Sequence, residues 1–186
     1  TIMKLTFQKA ALLNGINIVL KAVPSKTTMP ILECILIDAS TNEIKLTGND
    51  MELGIETKVE GEILERGKIA LDAKLFSEIV RKLADADATV TIESDEKFNT
   101  VISGDNSVFK IQGKDGEEFS YLPYIEKDKY ICLSQFSLKE IIRQTLFSIS
   151  VNDSNKMMTG ELFEVKGDTL RVVSLDGHRM SIRKVT

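Results

Sequence analysis

The sequence predicts an α+β protein made of repeated units, each a strand, a helix and three further strands. Three observations predict it. An amphipathic helical pattern recurs at near-constant spacing, short β-branched runs separated by turn signals follow each copy, and one turn-and-strand phrase recurs with them.

The helical pattern is clearest in FSLKEIIRQTLFSIS at 136–150. Leu138, Ile141, Ile142, Leu146 and Ile149 fall on one face, and Lys139, Glu140, Arg143 and Gln144 on the other. Ser137 and Glu140 stand three residues apart, the spacing at which each side chain satisfies the other residue's free backbone N–H, so the helix is expected to start near Ser137. FQKAALLNGINIVLK from Phe7 and LDAKLFSEIVRKL from Leu71 repeat the pattern. The copies begin at 7, 71 and 136, in steps of 64 and 65 residues.

In the first unit the predicted helix 8–22 has the apolar face Leu12, Ile16, Val19 and Leu20, continued by Val23 just beyond it. Gly15, costly inside a helix, marks close packing, and Thr6 or Gln8 is the candidate cap. VPSKTTMP at 23–30 is a loop between two prolines, with Lys26 at its centre. The runs 31–39 and 43–47 form a hairpin, GND at 48–50 turns, and 51–59 is a third strand. The second unit follows the same order: strand 68–71, a helix capped by Asp72 with Leu75, Phe76, Ile79, Val80 and Leu83 buried, then strands at 89–93, 100–103 and 108–112. IKLTGNDMELGI at 44–55 matches TVISGDNSVFKI at 100–111.

Two helices and about eight strands complete one domain at 1–125, with 113–128 as the linker on account of its two glycines, one proline and five acids. The third unit begins with a strand at 130–133, then the helix, the polar loop NDSNK at 152–156, and a hairpin of 161–165 with 169–174. LRVVSLDGHRMSI at 170–182 repeats the turn-and-strand phrase with one extra residue. No fourth unit follows, so 126–186 is expected to be the first half of a second, truncated domain. At the other end, Met3 has the look of a native start.

The totals, 186 residues with 42% hydrophobic and 28% charged, fit a soluble globular protein. No apolar run reaches membrane-spanning length and no signal-peptide pattern occurs, which makes the cytoplasm the default location. Two cysteines far apart and one histidine indicate neither a disulfide framework nor a zinc site; Cys34 and Cys132 are expected to be small packing residues. The net charge of -4 argues against a uniformly basic nucleic-acid coat. Its distribution is uneven, because the three helices together carry +4 and everything else -8.

Catalytic patterns are missing. GEILERGK at 61–68 fails the phosphate-loop spacing, and the carboxylate pairs Asp85/Asp87 and Glu117/Glu118 fall in turns as solvated charges. The triplet Asn152-Asp153-Ser154 fits a glycosylation acceptor but has no secretory context. His178 beside Asp176 would need Ser174 or Ser181 as a nucleophile to support hydrolysis. Asp176-Gly177 is also a hairpin turn signal, with His178 and Arg179 starting the next strand, and Met158, Leu175 and Met180 could line an adaptable apolar groove.

MKLTFQKAALL, KTTMPILECILI, LTGNDMELGIE, EEFSYLP and above all GELFEVKGDTLRVVSLDGHRMSI closely resemble the bacterial DNA sliding clamp family, the β subunit of the replicative DNA polymerase III holoenzyme. The resemblance runs from Met3 to Thr186. It implies a clamp fold with helices on one face of antiparallel sheets, and a homodimeric ring of two chains, three domains each, around double-stranded DNA. It also implies a processivity factor with no catalytic activity, cofactor or metal of its own. Lys26, Asn152, Lys156 and Met157 then match DNA-proximal loops, with Lys156 and Met157 departing from the family's aromatics there. Lys9, Lys74, Arg81, Lys139 and Arg143 are the helix cations offered to phosphate. Met158, Leu175, Gly177, His178, Arg179 and Met180 match one side of the pocket for Gln-x-x-Leu-Phe-like peptides of polymerases, the clamp loader and repair proteins. Phe109 and Ile111 match a subunit-contact strand; for Phe109 a plain core position is the competing reading, since alternation gives a strand one inward face regardless. The competing readings are a peptide-binding scaffold of the same fold that does not encircle DNA, and a hydrolase using His178.

Overall fold

The computed structural model describes residues 3–83, 87–152 and 154–186. Asp85 and Asp153, named above in the carboxylate pair and the glycosylation triplet, lie outside them. The chain divides into two compact units, Thr1–Tyr124 and Ile125–Thr186.

The first unit runs β1 (Met3–Gln8), α1 (Lys9–Val19), a 3-10 turn Leu20–Ala22, another at Pro30–Glu33, β2 (Cys34–Asp38), β3 (Ile44–Asn49), β4 (Gly54–Val59) and β5 (Glu62–Glu65). It then repeats the order with β6 (Lys68–Asp72), α2 (Ala73–Lys82), β7 (Thr89–Ser94), β8 (Asn99–Gly104), β9 (Ser107–Gln112) and β10 (Lys114–Asp115). Two five-stranded antiparallel sheets result, in the orders β5-β1-β7-β8-β9 and β10-β6-β2-β3-β4. Shifting every strand number by five converts one order into the other. Each half-unit therefore gives its first strand to the other half's sheet: β1 pairs with β7, Leu5 opposite Ile92, and β6 pairs with β2, Leu71 opposite Ile35.

One core joins both halves. Leu5, Leu12, Ile16, Ile35, Ile37, Leu46, Ile69, Leu71, Phe76, Val80, Val90, Ile92 and Ile102 belong to a single buried cluster. Alternation along β2 sends Cys34 and Leu36 to its opposite face, where they meet Ala70 and Phe119 in a second, smaller cluster. Burial pushes the Cys34 thiol up to about 11, so it is an inert packing residue. Cys132 is exposed, contrary to the expectation that it also packs.

The helix ends show how local signals were used. Asp72 caps α2, its carboxylate accepting the Leu75 N–H at 2.8 Å. Gln8 precedes α1 without a side-chain cap; instead the Lys9 N–H donates to the Ala88 carbonyl at 3.0 Å. At Gly15 an added methyl would strike Val59 and Leu46, so α1 lies close on β3 and β4, as its position inside a helix implied.

Several expectations give way. β5 and β10 add a further edge strand to each sheet, making ten strands among the described residues of this unit. Leu75 is exposed rather than buried on α2. GND at 48–50 does not turn as a block: β3 continues through Gly48 and Asn49, and the reversal falls at 50–53, where Met51 has φ 75. Residues 113–119 are not linker, because β10 pairs with β6 and Phe119 is buried behind it.

The second unit holds α3 (Gln135–Thr145), a 3-10 turn Leu146–Ser148, another at Lys156–Thr159, and an antiparallel sheet of β11 (Leu162–Lys166), β12 (Thr169–Leu175) and β13 (Met180–Val185). Its core is Ile141, Leu170 and Val172, with Leu133 and Val185 packed against them. The α3 start differs from expectation. Ser134 is the cap, accepting the Ser137 N–H at 3.0 Å, and Glu140 pairs with Arg143 instead of the helix end. The three caps, Gln8, Asp72 and Ser134, lie 64 and 62 residues apart.

The predicted strand at 130–133 does not form. In the first unit such a strand pairs with the second strand of the other half, and 125–186 contain only one half, so no ladder exists for it to join. The α3 face is correspondingly half covered. Leu138 occupies the position of the buried Leu12 and Phe76, four residues after the cap, yet it is exposed, as is Leu146.

Gly48 supplies a test of the packing in the first unit. A methyl there would run into the Val19 carbonyl oxygen at the end of α1. Gly48→Ala is expected to lower stability by roughly 1–3 kcal/mol in denaturant unfolding, by overpacking against backbone. Gly160, with open space around it, serves as the control, and Gly160→Ala is expected to be close to neutral.

Candidate nucleic-acid and peptide interfaces

In the first unit α1 and α2 lie against each other, and this places the helix cations. The Lys9 ammonium donates to the Arg81 carbonyl at 3.3 Å and to the Leu83 carbonyl, the free carbonyls at the end of α2, where positive charge is favoured. It is half-buried and occupied with α2. Arg81 reaches back, its Nη2 donating to Asn17 Oδ1 at 2.9 Å. The guanidinium is thereby oriented while the residue stays exposed, and Lys74 and Lys26 are exposed as well. A cleft of about 590 Å³ lies between the loop and α2, lined by Pro24, Ser25, Lys74 and Arg81 but also by Glu33, Asp72 and Glu78. The surface is mixed in sign, with Lys74, Glu78 and Arg81 all on α2. Asn17 escaped the sequence reading because its role appears only once the two helices are adjacent.

In the second unit Lys139 is exposed on α3. Arg143 is engaged twice by Glu140, Nε–Oε1 at 3.0 Å and Nη2–Oε2 at 2.8 Å, and this contact holds the Glu140 carboxyl below its usual range. Asn152 and Lys156 are exposed in the loop before β11, and Met157 is 88% exposed. Among the contacts that shape the loop, Asn155 Oδ1 accepts the Met157 N–H at 3.1 Å, and the Ser150 N–H donates to the Met158 carbonyl at 2.9 Å.

The LDGHRM turn joins β12 to β13, with Leu175 paired to Met180. It is built around Asp176. Its Oδ1 accepts the N–H of His178 at 2.9 Å and of Arg179 at 3.0 Å, its Oδ2 accepts Arg179 Nε at 2.9 Å, and Gly177 takes φ 87. The strand therefore starts at Met180, not at His178. Leu175, Gly177, His178, Arg179 and Met180 line a shallow depression of about 260 Å³; Met158 is not among its lining residues. The hydrolase arrangement is not assembled. Ser174 donates to the Thr145 carbonyl inside the core, and the Ser181 and Ser148 hydroxyls pair at 2.6 Å. Phe109 and Ile111 sit on β9, an edge strand, and pack partly buried against the main core. Among the described residues no group of three or more His, Cys, Asp and Glu could hold a metal ion, and no helix is long and apolar enough to cross a membrane.

Residues 3–123 match the N-terminal domain of the DNA polymerase III beta subunit, and residues 132–186 match its central domain. The chain belongs to the DNA polymerase III beta subunit family. It is 39% identical over 190 residues to the beta sliding clamp of Bacillus subtilis, a match covering 98% of this chain and 50% of that protein. A crystal structure from Eubacterium rectale assigned to the DNA polymerase III beta subunit is 67% identical, with TM-score 0.93, covering 98% of this chain and 50% of the other. The crystal structure of the Bacillus subtilis sliding clamp superposes with TM-score 0.93 at 36% identity, over 100% of this chain and 50% of the other. The chain thus spans about half the length of the relatives it matches.

Within this family member the Asp176 turn has a measurable electrostatic signature. Backbone hydrogen bonds from His178 and Arg179, with the Arg179 guanidinium, hold the Asp176 carboxyl below the ordinary aspartate value of 3.8. Its stabilisation of the turn is present at neutral pH and is lost as pH falls through that lowered value. The amide resonances of His178 and Arg179 are expected to titrate together with a midpoint below 3.8. In Asp176→Asn that shared transition should vanish.

Proposed function

We propose that this chain is part of a DNA sliding clamp, a non-catalytic processivity factor that encircles duplex DNA and tethers the replicative polymerase to it. The observation that carries the proposal is the match of both units, in order, to successive domains of the DNA polymerase III beta subunit. In this reading 1–125 form a complete clamp domain and 126–186 the first half of the next. The polypeptide works in the cytoplasm, and a form of the relatives' length closes as a homodimeric ring.

The helices face the DNA. Arg81, Lys74 and Lys26 supply exposed cations from the first unit, and Lys139, Lys156 and Asn152 supply polar contacts from the second. Lys9 and Arg143 contribute positive charge at one remove, since α2 carbonyls hold the first and Glu140 holds the second. Met157 offers an apolar, flexible contact where aromatic stacking would otherwise occur. Contacts of this kind go to phosphate and do not read sequence. Partner proteins dock short peptides against Leu175, Gly177, His178, Arg179 and Met180, with Met158 nearby in sequence to the adjoining loop. At the subunit border β9 offers its free backbone edge, while Phe109 and Ile111 anchor that strand from inside.

The DNA-facing assignment is tested by charge reversal at Arg81 and at Lys26. Each exchange for Glu is expected to weaken duplex binding uniformly across sequences. The slope of log affinity against log salt should fall by about 1 per phosphate contact removed. Unchanged affinity and slope in both variants would take this helix surface away from the DNA.

A further inference from the structure

The peptide-docking wall contains an arrangement that involves two residues outside the expected set. Asp176 holds Arg179 by a backbone and a side-chain contact at once, and Phe147, on the 3-10 turn after α3, lies under the guanidinium with its ring centre 6.0 Å from Arg179 Cζ. That separation is at the outer limit of a cation–π contact. Phe147 is 62% exposed, an unusual position for a phenylalanine that the small core does not need. The Asp176 side chain is only 18% exposed, whereas that of Arg179 is 56% exposed. The carboxylate takes the Nε edge. Among the described residues the two terminal guanidinium nitrogens have no partner, so the fork is oriented and its donors remain available.

We infer that Asp176 is a positioning residue of the docking wall, presetting Arg179 over the Phe147 ring so that its terminal nitrogens meet a backbone carbonyl of an incoming apolar peptide, with Phe147 as a further wall of the site. The inference rests on the docking reading above. Its physical content is preorganisation. A free arginine has several rotatable bonds to freeze on binding, and here the turn has already frozen them.

The test follows the Arg179 Nε–Hε resonance by NMR in the intact 186-residue chain, with Asp176→Asn and Phe147→Leu beside it. The amide of Asp176→Asn keeps an oxygen for the two backbone N–H groups and loses the charged contact to Nε, so the turn persists while the fork is released. In the unaltered chain the Hε proton is expected to be protected from exchange with water. Protection should be lost in Asp176→Asn, and its chemical shift should move in Phe147→Leu as the ring current disappears. Titration with the peptide Gln-Ala-Ala-Leu-Phe should shift Leu175–Met180 resonances in the unaltered chain, with roughly three- to tenfold weaker binding in each variant. Retained Hε protection or unchanged affinity in Asp176→Asn overturns the positioning role, and unchanged affinity in Phe147→Leu removes Phe147 from the wall. A peptide that shifts nothing in the unaltered chain and does not bind a form of this polypeptide at the length of its relatives overturns the docking reading itself.

Discussion

The exchange of first strands between half-units is the constraint on which the rest of the structure depends. Because β1 belongs to the sheet of β7, and β6 to the sheet of β2, neither half of the first unit completes its five-stranded sheet without the other. The exchange brings α1 and α2 side by side over one shared core. Their adjacency in turn lets Lys9 close the carbonyl end of α2 and lets Arg81 meet Asn17. The cations at the helix surface are therefore consequences of sheet pairing as much as of composition.

The same constraint accounts for the second unit. With a single half present in 125–186, the segment 130–133 finds no ladder, β11 has only β12 as a neighbour, and the apolar face of α3 is half covered. What remains well built is the β12–β13 hairpin. Its turn is stabilised by contacts local in sequence, all converging on Asp176, and needs no second half to form. The candidate docking wall is thus held by short-range chemistry, whereas the helix surface of the first unit is held by long-range pairing.

Much of this was legible in the sequence. Helices, hairpins, the Asp72 cap and the tight approach at Gly15 follow from periodicity, cap spacing and the cost of glycine, all local signals. The misreadings share one cause, which is that a local pattern has more than one tertiary use. Glu140 stands at capping-box spacing from Ser137, but it also stands three residues before Arg143, and the charged pair won over the cap. Lys9 counts as a free cation in a charge tally, yet the neighbouring helix end takes its ammonium. Leu75 and Leu138 fall in the same periodic pattern as Phe76 and Ile141, yet the first two are exposed and the second two buried, a difference that periodicity alone does not carry. Residues 113–119 have a linker's composition but a buried Phe119. Asp176 was legible as a turn residue, although its hold on Arg179 and the nearness of Phe147 needed three dimensions.

Helices that carry a net positive charge in an otherwise acidic chain suit contacts that hold phosphate loosely. Loose contacts permit sliding only if something other than affinity prevents escape, and in the clamp proposal that is ring closure. Retention on circular DNA tests this most directly, using a form of this polypeptide at the length of its relatives, loaded on a nicked circle and followed through a high-salt wash. The account predicts that it stays on the intact circle and is lost within the same wash once the circle is cut to a linear molecule. Equal loss from circle and line would contradict it.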